Sequence, residues 1–532
     1  MFVNSHSVSI KESVKDQKLR RKFWKFEPEI NPEYVRYHRI NGDISGNSMS
    51  FKLNNITPNS LLLSKAYIKW SFTVNKVKNQ VPQVAENFVN DEQIIAKSNI
   101  FENCLKNIKM SINGRNIGSY QEPRYWAKYL TRSFQNDNLL FSTDGGHDLN
   151  YNGSYNQAGI PSARVPAFPN TPLIDDEKFR ESNDTIFTEV TAAFGTDTAT
   201  FSFLSLLNFG LFDKYYGDTK RSYLGWHENM SSAIPYVKDL DINIQMNRIE
   251  TNALNYVFGL TTAGGFESVE LVNGRISSAQ LVLQWVDSPS KNIEEHRDYF
   301  GESVNLGSIQ NEVFLQSYSV KFNKFNLGVI NDGTLFEMSP TPRREMPLYS
   351  VPDYFLIFAT VDKDSDSYKN ISNVFASDLV STNLASSINS NANESNMNFE
   401  ELKINVNINT QIVNSEWNQK ELYNLTMSNS KKGYSFTKFS GGQKLQGNYP
   451  SNAYILVKPS DIGIKKSSGE STNRLSLQFE AKLRATDGNV GLQDAVGGNR
   501  EYVFCIALIY DNYFVYMNKD GLVNPEYSGQ FI

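Results

Sequence analysis

Apolar and polar residues alternate with a period of two along much of this chain. Ile68, Trp70, Phe72 and Val74 alternate with Lys69, Ser71 and Thr73, and Leu240, Ile242, Ile244 and Met246 with Asp241, Asn243 and Gln245. The same pattern holds for Leu402, Ile404, Val406 and Ile408 and for Leu475, Leu477, Phe479, Ala481 and Leu483. Each run predicts a strand with one packed face and one wet face. Shorter runs at Leu281, Leu283 and Trp285 and at Tyr318, Val320 and Phe322 predict further strands. Residues Val503 to Tyr510 are continuously apolar, the mark of a strand covered on both sides, and Asp511-Asn512 then reads as a turn into Tyr513 to Met517.

One stretch joins two elements almost without a spacer. Ile108, Met110 and Ile112 alternate with Lys109 and Ser111, and Asn113-Gly114 supplies the two positive-φ residues of a type I′ hairpin turn. Pro123 then suits the first turn of a helix, where its missing N–H is no loss. Tyr125, Trp126, Tyr129, Leu130 and Phe134 fall on one side of that helix, and Arg124, Lys128, Thr131 and Arg132 on the other, polar side. Helical signals are few: Pro123 to Phe134, Ile293 to Phe300 and Glu416 to Met427.

Many antiparallel strands with a few helices in the connections predict sandwiches of the jelly-roll kind. The strand-rich zones form two sets, about 50–287 and 313–517, and the polar stretch 288–311 between them reads as the domain boundary. Both halves share a coarse order of strands, helix and strands, which suggests duplication. The expected organisation is an N-terminal basic arm over 1–48, a first jelly roll over 49–300, a second over 301–523 and a tail over 524–532. Two polar stretches read as surface excursions: 135–198, rich in Asn, Asp, Gly and Pro, and the Asn/Ser-rich 381–398.

Composition agrees. The 532 residues exceed one ordinary core and suit two sandwich domains. Aromatics reach 13%, with 34 Phe and 27 Tyr, as sheets favour. The net charge of −5 excludes a chain that binds nucleic acid over its whole surface. Cys104 and Cys505 sit in apolar runs and read as buried free thiols. The N-terminus lacks the apolar segment of a signal peptide, and no run approaches the roughly 20 apolar residues of a membrane span. The expected setting is a reducing cell interior.

Segments in this order resemble double jelly-roll major capsid proteins of the Polinton-like virus, adintovirus and virophage group. SFKLNNITPNSLLLSKAYIKWSFTV looks like their opening strands, and IKMSINGRNIGSYQEPRYWAKYLTRSF like their strand, Asn-Gly, strand and aromatic-helix passage. FSFLSLLNFGLFDKYYG, YVKDLDINIQMNRI and SSAQLVLQWVDSPSKNIEEH are similar to the close of the first jelly roll, and FEAKLRATDG with FCIALIYDNYFVYMNKDGLV to the close of the second. The likeness spans most of 50–523 and lies in the order of patterned segments; the arm and both excursions match nothing in the family. It implies an all-β fold of two consecutive eight-stranded antiparallel jelly rolls, with short helices in the connecting loops. It also implies trimers of pseudo-sixfold outline that tile an icosahedral shell with neighbouring capsomers, assembled in the host cytoplasm or nucleus. Minor capsid and penton proteins are implied as partners.

Candidate chemistry is sparse. His6, His38, His147, His227 and His296 stand apart from one another and from cysteine at metal-ligand spacing. Asp362-Lys-Asp-Ser-Asp366 opens like a calcium loop but has Ser367 for the glycine and Asn373 for the bidentate glutamate, and reads as a polar turn. Gly442 to Gly447 lacks the lysine of a phosphate loop. No enzyme motif emerges and no cofactor is expected. One constellation stands out: residues 11–25 hold seven basic and two acidic side chains. Lys11, Lys15, Lys18, Lys22 and Lys25 would share one face of a helix, with Arg20 and Arg21 beside them. Two readings stay open: an inner arm touching nucleic acid or an acidic protein, and an arm that docks under a neighbouring subunit. Against the capsid reading stand a two-domain β-sandwich carbohydrate- or receptor-binding protein and a sandwich-fold glycoside hydrolase, which needs two facing carboxylates.

Overall fold

A computed structural model describes residues 35–54, 60–78, 92–96, 101, 104–126, 188–192, 198–207, 209, 212, 233–234, 237–249, 254–258, 266–287, 312–331, 334–339, 345–362, 396–408, 411–430, 436–440, 443–444, 447–448, 453–464, 475–484, 499–518 and 523–527.

The first half contributes β1 (Val35–Asn41), β2 (Asp43–Ser45), β3 (Ser48–Leu53), β4 (Ser60–Lys78), β5 (Glu92–Ala96), β6 (Leu105–Ile112) and β7 (Arg115–Gln121). It continues with β8 (Thr188–Ala192), β9 (Thr198–Leu206), β10 (Ala233–Ile234), β11 (Leu240–Met246), β12 (Leu254–Phe258) and β13 (Phe266–Asp287). The second half adds β14 (Glu312–Asn331), β15 (Leu335–Met338), β16 (Glu345–Leu348), β17 (Tyr354–Val361), β18 (Asn398–Ile408) and β19 (Gln411–Asn418). Helices α1 (Gln419–Asn429) and α2 (Phe436–Ser440) follow, then β20 (Gln443–Lys444), β21 (Gly447–Asn448), β22 (Ile455–Val457), β23 (Leu475–Arg484), β24 (Asn499–Asn518) and β25 (Val523–Tyr527).

Strand order identifies two jelly rolls. In the first half β1-β13-β4-β9 form one sheet and β3-β11-β6-β7 face it. Counted along the eight principal strands, that is first-eighth-third-sixth against second-seventh-fourth-fifth. In the second half β14-β24-β17-β22 face β23-β18-β19, with β15 and β16 both on β23 as one interrupted second strand, and the order is the same. The expected all-β double jelly roll is therefore the fold. Its two sandwiches share one ten-stranded sheet, in which the fifth strand of the first, β7, lies parallel to the first strand of the second, β14.

The alternating runs account for both cores. Ile68, Trp70, Phe72, Val74, Ile242 and Ile244 fill the first, and Leu402, Ile404, Val406, Leu477 and Phe479 the second. The continuously apolar run on β24 is covered on both sides: Val503, Cys505, Ala507 and Ile509 join the first cluster, while Tyr502, Phe504, Ile506, Leu508 and Tyr510 join the second. At about 25 cal/mol per Å² of apolar surface buried, such a strand stabilises both units at once. Asn113 (φ 49°) and Gly114 (φ 75°) take the positive-φ pair expected of the hairpin turn between β6 and β7.

Several boundaries differ from expectation. Residues 35–45, placed in the arm, form β1 on β13 and β2 on β3. The first excursion ends in β8, paired with β9, because Val190 and its neighbours extend the sheet edge. The Asn/Ser-rich loop ends in buried Asn396 and Met397; Asn396 bridges to Thr360 and donates from Nδ2 to Ala453 O at 3.3 Å. The tail supplies β25, paired with β24. Asp511-Asn512 is no turn: Ser317 pairs with Tyr513 and Ser319 with Tyr510, so Tyr318 alone faces both residues. Asp-Asn here marks a β-bulge inside a strand that runs on. The predicted boundary 288–311 and helix 293–300 lie outside the described residues.

The third helix starts three residues late. Glu416 and Trp417 belong to β19, and Asn418 caps α1: its Oδ1 accepts from the Lys420 and Glu421 N–H at 3.0 and 3.1 Å, and Glu421 Oε2 accepts from the Asn418 N–H at 2.8 Å. This reciprocal box satisfies donors that the helix start leaves open. Asn418→Ala is expected to lower stability by about 1 kcal/mol, read from the urea midpoint; an unchanged midpoint would mean water replaces the cap without loss.

Candidate assembly surfaces

The hairpin-to-helix stretch is where the two sandwiches meet. Tyr120 on β7 pairs with Val320 on β14, the Ser319 hydroxyl donates to Ser119 O at 3.0 Å, and the Phe322 N–H donates to Gln121 Oε1 at 3.0 Å. Glu122 then adopts φ 45°, which swings the chain out of the strand and into the helical turn 123–126. That turn delivers Tyr125 into the second unit: its ring stacks on Phe322 of β14 at 5.4 Å and lies 4.6 Å from Phe358 of β17. Burial holds its phenol well above the ordinary tyrosine pKa, against the opposing pull of Arg124.

Arg124 corrects the sequence expectation. It was placed on the polar side of the helix, yet it is 2% exposed. Its guanidinium lies 4.8 Å over the Tyr125 ring, and its Nε is 2.9 Å from Glu122 Oε2. The buried Asn247 carboxamide, with its oxygen toward Arg124, accepts from both terminal nitrogens at 3.1 and 3.0 Å. The Asn247 N–H in turn donates to Cys104 O at 2.6 Å, which fixes the end of β11 beside the start of β6. At Arg124 the expected wet side is filled by another strand end, so this charge is met by a carboxylate and an amide instead of water.

The second sandwich repeats the unit. The β18–β19 hairpin is its fourth and fifth strands, and α1 follows at once, as the turn 123–126 follows β7. One thing differs. Where β7 carries β14, the outward edge of β19 carries no strand among the described residues. On it Ile412 is 66% exposed and Val413 37%.

Two other edges are guarded. The opposite side of that sheet is broken into the short β15 and β16, the latter containing Pro347. The β22 edge is sealed by α1: the Leu456 N–H donates to Thr426 Oγ1 at 3.2 Å, and Asn429 Nδ2 donates to Leu456 O at 3.0 Å. The edge strand β19, QIVNSEWN, contains no lysine, proline or glycine of the kind that discourages strand addition. β1 borders its sheet too, with Arg36 and Arg39 exposed and Tyr37 63% exposed.

The outer faces also differ. That of β14-β24-β17 is apolar, with Val320, Leu356, Phe358, Val503 and Ile509 buried in the junction. The corresponding face of β1-β13-β4-β9 is hydroxyl- and amide-rich: Ser71 and Ser278 share a hydrogen bond at 2.5 Å, Thr73 and Thr200 one at 2.8 Å, and Gln280 Nε2 donates to Asn41 Oδ1 at 3.0 Å. Beside β19, the outer face of β23 and β18 carries Glu401 paired with Lys482 at 2.6 Å and Glu480 with Lys403 at 3.5 Å. Glu416 of β19 stands opposite Lys403.

Of the basic stripe, Lys11, Lys15, Lys18, Arg20, Arg21, Lys22 and Lys25 all lie outside the described residues, as do His6, His147, His227 and His296. His38 stacks on Trp285 at 4.7 Å. Cys104 and Cys505 are buried free thiols, as expected, and burial raises the Cys505 pKa. Among the described residues no group of side chains is set to hold a metal ion, and no helix is long and apolar enough to cross a membrane. Asp362 is paired with Lys324 at 3.5 Å, and the 442–447 stretch falls at the β20–β21 hairpin, Gln443 to Asn448. Sequence reasoning missed β19 and its exposed pair Ile412-Val413. The available signal was Asn409-Thr410, a two-residue link between alternating runs.

No protein-family model and no curated protein matches this sequence. Solved structures do match its fold. A chain in the 3.5 Å cryo-EM structure of the Sputnik virophage superposes with a TM-score of 0.55 at 12% identity, covering 93% of this chain and 88% of that one. The crystal structure of the mavirus major capsid protein superposes with a TM-score of 0.56 at 14% identity, covering 92% of this chain and 90% of that one. At such identities the likeness is one of fold.

Proposed function

We propose that this chain is the major capsid protein of a double-stranded DNA virus or virus-like mobile element, forming trimers of pseudo-sixfold outline that tile an icosahedral shell. One observation carries the reading: two jelly rolls of the same strand order are fused through one sheet in a fold that the mavirus major capsid protein shares over 92% of this chain. Two sandwiches locked by a buried junction make a rigid block, and a rigid block with flat sheet walls suits tiling. Neighbouring capsomers, minor capsid proteins and penton proteins would be its partners, in a virion assembled inside the host cell. Residues 11–25, with Lys11, Lys15, Lys18, Arg20, Arg21, Lys22 and Lys25, would form an inner arm toward nucleic acid or an acidic protein.

Mass photometry and negative-stain microscopy of the purified chain test this. The expected result is particles of three times the 60.4 kDa chain mass with hexagonal outline, or shells. A monomer at high concentration would overturn it and favour a two-domain carbohydrate- or receptor-binding protein. Deleting residues 1–26 is expected to leave a folded trimer; loss of the trimer would overturn the arm's assigned role.

A further inference from the structure

We propose that Asn273 is a site of self-modification, where the folded chain converts its own carboxamide through a cyclic imide to isoaspartate and aspartate. This stands apart from the assembly reading above. The sequence holds four Asn-Gly pairs, at Asn41, Asn113, Asn152 and Asn273. Glycine has no Cβ to shield its main-chain nitrogen, so that nitrogen can attack the Cγ of the preceding asparagine. The new bond joins Cγ to the glycine nitrogen, the Cγ–Nδ2 bond breaks, and ammonia leaves with the proton of the attacking amide. Water then opens the imide at either carbonyl. One opening gives aspartate; the other gives isoaspartate, whose main chain is longer by a carbon.

Folding guards two of these pairs and leaves a third open; Asn152 lies outside the described residues. At Asn41 both reacting groups are held. Its Oδ1 accepts from Gln280 Nε2 at 3.0 Å, the Gly42 N–H donates to Ala279 O at 2.9 Å, and the Phe51 ring packs on Gly42. At Asn113 the carboxamide is fixed, because Oδ1 accepts from the Lys238 and Asp239 N–H at 2.7 and 3.0 Å. Asn273 is exposed, and its carboxamide meets no hydrogen-bond partner among the described residues. Nothing lies within 4 Å of the place that a Cβ on Gly274 would take. The sheet does not hold this pair either. Leu271 pairs with Val74 and Ile276 with Phe72, so residues 272–275 stand opposite Thr73 alone and bulge from the ladder. Asn273 (φ 58°) and Gly274 (φ 61°) make the bend. The three pairs are matched in local chemistry, since β-branched Ile40, Ile112 and Val272 precede them. What separates them is tertiary structure. The product also has a structural consequence. Just past the bend the Ile276 N–H donates to Gly46 O at 3.1 Å, which ties β13 to the β2–β3 turn. An added main-chain carbon at 273 shifts that tie, and the modified fraction records the time since folding.

The test ages the full-length chain in mildly alkaline buffer and maps its peptides by mass spectrometry over time, with electron-transfer fragmentation to separate isoaspartate from aspartate. A urea-unfolded sample runs in parallel. In the folded chain Asn273 is expected to react about tenfold faster than Asn41 and Asn113, since each of those must first break a hydrogen bond. In urea all three should react alike. The Asn273 rate should fall in mildly acidic buffer, because the attacking nitrogen has to lose its proton. Hydrogen exchange at the Ile276 amide should quicken in the aged chain but not in Asn273→Asp, which adds the charge without the carbon. An Asn273 that stays intact in the folded chain while it reacts in urea would overturn the proposal, and so would equal rates at the three sites in the folded chain. Unchanged exchange at Ile276 in the aged chain would overturn the structural consequence.

Discussion

Arg124→Met is expected to cost about 3–5 kcal/mol, because it removes a buried guanidinium shared by Glu122, Asn247 and Tyr125 at the junction. The loss should be specific in kind. Arg124 joins Glu122 at the end of β7, Asn247 at the end of β11 and the Tyr125 ring that enters the second sandwich. Removing it loosens the coupling between units more than either core. Urea unfolding followed by circular dichroism and tyrosine fluorescence should therefore change from one transition to two, the first sandwich separating from the second. The double variant E122Q/R124M removes both charges and should recover much of the loss, since a neutral pair escapes the cost of a lone buried ion. A single transition in R124M with an unshifted midpoint would mean that the clamp contributes nothing to coupling.

Trp70→Ala is expected to destabilise the first sandwich by about 3–5 kcal/mol, the range for truncating a large buried aromatic. Trp70 is fully buried on β4, with ring centroids of Phe203, Phe72 and Phe101 at 5.0, 5.5 and 6.2 Å. Its indole N–H donates to the buried Ser205 hydroxyl at 2.8 Å. Alanine opens a cavity among three rings and strands that hydroxyl. Against a typical domain stability of about 5–15 kcal/mol this is a large fraction. Trp70→Phe separates the terms: it keeps most of the packing but loses the donor, and should cost about 1–3 kcal/mol. Equal losses for the two variants in equilibrium denaturation would place the whole effect in the hydrogen bond and overturn the packing account.

Much of the fold was legible because alternation is a local property. Strands with one wet face announce themselves residue by residue, as at Leu240–Met246 and Leu475–Arg484. The hairpin at Asn113-Gly114 was legible for the same reason, since positive φ is demanded of those two residues alone. Misreadings arose where local chemistry had two outcomes. Asp511-Asn512 suits a turn and a bulge equally, and only the pairing with β14 selects the bulge. Glu416 and Trp417 fit a helix start until Asn418 caps one residue later.

The sequence by itself determined the class of fold, the packed face of each patterned strand and the doubly covered course of Val503 to Tyr510, because side-chain polarity along an extended backbone repeats every two residues regardless of what lies opposite. Only the tertiary structure decided that Arg124 is buried, that β7 is paired while its counterpart β19 carries no further strand among the described residues, and that one sheet runs through both sandwiches. Those depend on which distant strand arrives at an edge, and the backbone groups along an edge are the same in every residue; they carry no mark of the partner they will meet.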